Sequence, residues 1–283
     1  MIAANPRETG AGTRYRPVAG RSRLVWAFFD AMVLAKRSLI QTLRVPEIIV
    51  FVTIQPVMFV VLFRYVFGGA IHVPGGQYVN FLMPGIFVQT VAFGGVTTGI
   101  GLAEDMHRGL IDRFRSLPMA SSAVLTGRTI ADLGRNLFTV VIMLVVGFAV
   151  GFRPGGTPFE FLLGIAVLMA FSFAFSWVSA FIGLAVRSVE AAQSAGFIWL
   201  FPLTFASSAF VPVDTMPTWL QGFARHNPVS VLSDSLRGLF HVNPALTTAD
   251  IRWALIQSVA WIVAILLVFV PISVIRYRRT TAR

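Results

Sequence analysis

EDMHRGLIDRFRSLPMASSAVLTGRTIADLGRN, residues Glu104 to Asn136, is a charged island between two strongly apolar segments. It holds Arg108, Arg113, Arg115, Arg128 and Arg135 with Glu104, Asp105, Asp112 and Asp132, and such charges do not sit in hydrocarbon. Its first half is patterned. Met106, Leu110, Phe114 and Leu117 recur at steps of four, four and three, while Asp105, Arg108, Asp112 and Arg115 fall opposite. Glu104 with Arg108, and Arg108 with Asp112, are spaced i,i+4 and support a short amphipathic helix, which Pro118 stops. The apolar stripe has two readings, a helix lying on the lipid surface or one presented to something outside the bilayer.

Composition places the flanks in a membrane. The chain has 283 residues, 56% hydrophobic and 12% charged, with a mean hydropathy of +0.76. A soluble domain holds roughly 45–50% apolar residues, so an all-α polytopic membrane protein is the class that fits. The net charge of +11 would suit nucleic acid, but the basic residues are spread over loop ends and no nucleic-acid-binding motif accompanies them. They read as topology. Cysteine is absent, which excludes a disulfide framework and a thiolate metal site.

Residues 1–23 are polar, rich in Arg, Gly and Pro, and read as a flexible cytoplasmic tail. Residues 24–283 read as a single transmembrane domain. Over 24–44, Asp30, Arg37, Gln41 and Arg44 share one face and Phe28, Met32, Ala35, Leu39 and Leu43 the other, which predicts an interfacial helix with its cations on lipid head groups. Six segments have spanning length, about 20 residues for a core of roughly 30 Å: 48–67, 81–103, 133–152, 161–186, 191–212 and 253–275. Pro56, Pro84 and Pro202 are expected to kink or reshape their helices. Arg64, Arg153, Arg225, Arg237 and Arg252 fall on one side of this arrangement and the other 18 of 23 basic residues on the side of the termini. By the positive-inside rule both termini are cytoplasmic. The loop 104–132 is then cytoplasmic. The outer connection 213–245 should form two amphipathic helices dipping into the outer leaflet, one with Trp219, Leu220 and Phe223 as its apolar side. The second sets Leu232, Leu236, Leu239 and Phe240 against Asp234 and Arg237.

Catalytic patterns are missing. His72, His107, His226 and His241 are scattered, without H-E-x-x-H, G-x-S-x-G or metal-ligand spacing, so no catalytic, cofactor or metal residue is assigned. The single lysine, Lys36, has no glycine-rich phosphate loop around it, so this chain does not hydrolyse ATP by itself. No carboxylate falls well inside any predicted span, which disfavours a proton-coupled carrier. Uncharged polar groups do occur there, and they read either as glue between helices or as the lining of a path. Gln55, Gln89, Ser176 and Thr204, with the aromatic Phe175, are the candidates for a substrate path. Gly95 and Gly99, beside Gly94 and Gly101, make a small-residue face on the second span that permits close helix approach.

The interfacial helix, the six spans, the loop Asp112-Arg113-Phe114-Arg115-Ser116-Leu117-Pro118-Met119 and the outer run from Phe210-Val211-Pro212 through Met216-Pro217-Thr218-Trp219-Leu220 and Asn227-Pro228-Val229-Ser230 to Arg237-Gly238 carry a resemblance. Together they are similar to the permease subunits of type-2 ABC exporters of the daunorubicin-resistance kind found in actinobacteria. The likeness covers nearly all of the chain from about Phe28 to Arg279. It implies a bacterial plasma-membrane permease paired with a second permease chain, identical or not, and with two copies of an ATP-binding subunit that carry the ATP and Mg. It implies export of a hydrophobic or amphipathic drug, antibiotic or lipid, with a glycan or lipid-linked polymer as the rival cargo. It also implies that the island is a coupling helix seated in the ATPase, with Met106, Arg108, Leu110, Arg113, Phe114, Arg115 and Leu117 as its contacts.

Overall fold

The structure, a computed structural model, describes residues 46–71, 73, 77–107, 121–243 and 246–281. Helix α1 (Pro46–Val61) runs on into a wider π-type turn (Leu62–Phe67). Then come α2 (Tyr78–His107), α3 (Ser121–Ala149), α4 (Pro158–Ala185) and α5 (Val189–Phe205). A 3-10 turn (Val213–Thr215) leads into α6 (Thr218–His226), α7 (Pro228–Leu239) and the long α8 (Thr248–Thr281). Four helices, α2, α3 from Leu125, α4 and α8 as far as Tyr277, are long and apolar enough to cross a bilayer, as a multi-pass membrane protein requires. The expected tail over 1–23, the interfacial helix over 24–44 and the centre of the island, 108–120, lie outside the described residues.

The helix ends follow from local chemistry. Thr157 caps α4 in a capping box: its hydroxyl accepts from the Glu160 N–H, the Glu160 carboxylate accepts from the Thr157 N–H, and Pro158 fills the first helical position. α3 closes on Gly151, whose φ of +99° favours glycine. There Phe152 N–H donates to the Gly147 carbonyl at 2.8 Å and Gly151 N–H to the Phe148 carbonyl at 3.3 Å, a Schellman closure. Ser188 caps α5 by accepting from Ala191 N–H, and in that turn hydrogen bonds from its own N–H and from the Ser188 side chain hold the Glu190 carboxyl below the usual range.

α2 is the centre of the bundle, with 78% of its apolar window buried against 17% for α8. Its glycines set that packing. A Cβ at Gly99 would strike the backbone of Ser179 and come close to Gly183 on α4, so the two helices cross at backbone contact there. At the end of the bundle away from the island Phe87, Phe152 and Phe240 meet edge to face with centroids 5.9–6.4 Å apart, joining α2, the α3 turn and the end of α7.

Several boundaries differ from expectation. The third helix begins at Ser121 rather than 133, so the flanks of the island, 104–107 and 121–132, are helical extensions of α2 and α3. The charge content of 121–132 points to a loop, but those charges pair inside the bundle. The fifth helix ends at Phe205, short of 212, where Pro202 and a turn over Ala206 release the chain. Of the outer pair, α6 leaves Trp219 and Phe223 exposed, whereas α7 is buried along nearly all of its length. Arg237, expected on a polar face, is 1% exposed.

Candidate functional site

A polar seam runs along α2 and α3 from the island into the bundle. Nearest the island, Arg128 pairs with Asp105. One turn further in, Asp132 accepts from the Thr98 hydroxyl and sits 2.7 Å from Arg135, which also donates to the Thr97 hydroxyl. Next, Asn136 Nδ2 donates to Ser172 Oγ on α4 at 2.7 Å, in room that Gly94 leaves by lacking a side chain. Arg128, Asp132, Arg135, Asn136 and Thr139 recur at three- and four-residue steps, so one face of α3 carries the seam. Asp132 is 5% exposed. It lies one residue before the predicted span 133–152, so the expectation of no carboxylate well inside a span is not overturned, and its pairing with Arg135 explains how a carboxylate is tolerated inside the bundle.

Beyond the seam the helices part around a cleft of about 200 Å³ between α1, α2, α3 and α5. Gln55, Gln89, Thr90, Thr97, Asn136 and Thr139 give it a polar wall, and Phe59, Phe93 and Phe197 an aromatic one. Phe93 and Phe197 lie 5.8 Å apart, and the ring contacts continue through Phe201, Phe205 and Phe210 to Phe59 and Phe63. Gln89 Nε2 and Thr90 Oγ1 are buried with no hydrogen-bond partner among the described residues. The other hydroxyls are committed, Thr97 to the Gly94 carbonyl and Thr139 to the Arg135 carbonyl.

A second cluster lies at the end of the bundle away from the island. The Arg237 guanidinium donates to the Phe81 carbonyl at 3.0 Å, to the Ser208 carbonyl at 2.7 Å and to Asp234 at 2.6 Å, and stands 3.6 Å over the Phe81 ring. Nearby, Asn227 donates to the Leu203 and Ala206 carbonyls at the end of α5 and accepts from Val229 N–H at the start of α7. The Asn-Pro and Arg-Gly steps of the outer run are thus the pins that hold α7 against α2 and α5.

Of the five path candidates, Gln55 and Gln89 meet at the cleft. Phe175 instead packs on Phe171 and Trp199, Ser176 bonds the Ser172 carbonyl within α4, and Thr204 bonds the Leu200 carbonyl within α5. Sequence reasoning missed Asn136 and Thr139, although both lie in the predicted span 133–152; their spacing from Arg128 and Asp132 was the available signal. It also looked for aromatic lining on α4, whereas α1, α2 and α5 supply it. Met106 packs with Leu102, Trp177 and Tyr277 at the island end of the bundle, not free for a partner as the stripe implied. Arg108, Leu110, Arg113, Phe114, Arg115 and Leu117 lie outside the described residues.

Long apolar helices packed around a polar, aromatic-walled cleft mark a multi-pass membrane protein. The chain belongs to the ABC-2 type transporter family, whose model matches residues 30–241, and it is a permease of that family. It is 33% identical over 237 residues, 84% of this chain and 82% of the relative, to a daunorubicin resistance ABC transporter permease of Streptomyces coeruleorubidus. It is 26% identical over 231 residues, 81% of this chain and 80% of the relative, to a probable doxorubicin resistance ABC transporter permease of Mycobacterium tuberculosis. A putative transport permease of Cyanophora paradoxa is 27% identical over 236 residues, 78% of each chain.

Proposed function

We propose that this chain is the membrane half of an ATP-driven exporter that carries a hydrophobic or amphipathic molecule out across the bacterial plasma membrane. The observation that carries this is the cleft of α1, α2, α3 and α5, polar on one side and aromatic on the other, within a permease whose relatives are named for drug resistance. Such a lining suits a cargo with an apolar body and a few polar groups. In this reading six segments cross the bilayer with both termini inside, and a second permease chain completes the path. Two copies of an ATP-binding subunit hold the ATP and Mg. Proton coupling is disfavoured, since the buried Asp132 is already paired with Arg135 and Thr98.

The island links energy to path. Leu110, Phe114 and Leu117 of its stripe dock on the ATPase, with Arg108, Arg113 and Arg115 at the rim; Met106, expected in the same stripe, packs instead on the bundle's own core, and the Asp105–Arg128 and Asp132–Arg135 pairs lead from the island toward the cleft. Burying a phenylalanine is worth about 1.5–3 kcal/mol, so Phe114→Ala should weaken assembly by about ten- to a hundredfold. The test is co-purification of the ATP-binding subunit from native membranes with wild-type and Phe114→Ala permease, together with daunorubicin extruded per ATP hydrolysed. Normal pull-down and a wild-type transport ratio in the variant would put the stripe on lipid. Loss of polymer export in cells lacking the permease, with drug accumulation unchanged, would make the cargo a glycan.

A further inference from the structure

Two buried polar groups at the cleft, Gln89 Nε2 and the Thr90 hydroxyl, have no hydrogen-bond partner among the described residues. We propose that Gln89 Nε2 and the Thr90 hydroxyl form a selectivity subsite for an uncharged acceptor oxygen, a carbonyl or an ether, on a planar ring laid against Phe93 and Phe197. This rests on the export reading above and names the part of the cargo that the cleft distinguishes.

Gln89 is 3% exposed and Thr90 8%, both face the cleft, and neither amide nitrogen nor hydroxyl has a partner among the described residues. An unmade buried hydrogen bond costs more than a made one contributes, so a fold that keeps two adjacent ones is poised for a partner from outside itself. The polar neighbours on α2 and α3 are already engaged. Asn136 Nδ2 is held by Ser172, Thr97 receives Arg135, and Arg135 is neutralised by Asp132. The lining residues carry no charge, so a phosphate-bearing cargo would find no cation in the wall, whereas a carbonyl would find a neutral donor. Phe93 and Phe197 supply the faces on which a ring stacks. At about 200 Å³ the cleft is smaller than the roughly 300–1,000 Å³ of sites that enclose whole drug-sized ligands, so it takes one end of a larger molecule.

The probes are anthraquinone and anthracene, one three-ring skeleton with and without two carbonyls. Binding to the full chain in lipid nanodiscs is read by tryptophan quenching, with empty nanodiscs correcting for partition into lipid. Wild type should prefer anthraquinone by roughly three- to tenfold, the scale of one net hydrogen bond. Gln89→Leu should erase that preference and Thr90→Val should reduce it. If Gln89→Leu does not fold, Thr90→Val makes the same comparison. No preference in wild type, or an equal preference in wild type and the folded variants, overturns the subsite. Daunorubicin export by the same proteins with their ATP-binding subunit separates the two ideas. Active export together with a quinone preference untouched by the substitutions overturns the subsite and leaves the export reading standing. A preference that Gln89→Leu erases, in a wild-type complex with no ATP-dependent export, upholds the subsite and overturns the export reading.

Discussion

The two buried polar clusters, around Arg237 at the end away from the island and around Gln89 in the middle of the bundle, are finished to different degrees. Arg237 is fully buried, yet its guanidinium bonds the carbonyls of Phe81 and Ser208, the Ser208 hydroxyl and the Asp234 carboxylate, and stacks on Phe81. Gln89 and Thr90 are almost as buried, but their donors meet no partner among the described residues. A charge is the more expensive group to bury, and it is the one that is fully satisfied. In this molecule the closed network pins α7 to α2, while the open one borders the cleft.

Substitutions break or sharpen that contrast. The largest effect is expected from Arg237→Leu, which leaves the Phe81 and Ser208 carbonyls buried without their donor. Removing one partner of a buried pair costs about 3–5 kcal/mol, and because Asp234 is half-exposed and takes water instead, the lower end applies. Thermal unfolding of the purified permease should show a large drop, and an unchanged midpoint would mean that the Arg237 cluster is not a structural pin. Asp132→Asn comes next. It keeps the shape but leaves Arg135 without its counter-charge, at about 1–3 kcal/mol, and Asp132→Asn with Arg135→Gln should recover part of the loss. A double variant no better than the sum of its singles would show that the two side chains act independently. The smallest effect, and of opposite sign, is expected for Gln89→Leu. Replacing an unpartnered buried amide by an apolar chain should be neutral or stabilising by up to about 1 kcal/mol in the absence of cargo. A loss of stability comparable to that of Arg237→Leu would mean that Gln89 is bonded within the fold, and the contrast would collapse.

Much of the architecture was legible in the chain. Hydropathy and the bias of basic residues marked the apolar segments, since lipid admits only long stretches without unpaired charge. The glycine face of residues 94–101 was readable as a close crossing, and Gly99 makes one with α4. The candidate site was legible in part. Gln55 and Gln89 stood out as amides inside apolar runs, but Ser176 and Thr204 stood out for the same reason and turned out to bond their own helices. Hydroxyls three or four residues past a carbonyl can always do that, and no local pattern distinguishes those that do from those that face a partner helix.

By itself the sequence determined the membrane class, the charged island, the outer run of turn residues and the absence of a phosphate-binding loop, because each depends on composition or short-range spacing. Tertiary structure alone decided which polar groups are paired. Asp132 and Arg237 looked like surface charges because sequence reports the cost of burying a charge but not the partner that offsets it. Those partners, Thr98 for one and the Phe81 and Ser208 carbonyls for the other, come from helices distant along the chain. For the same reason only the packed bundle reveals that Gln89 and Thr90 line a cleft with no partner for the amide nitrogen or the hydroxyl among the described residues.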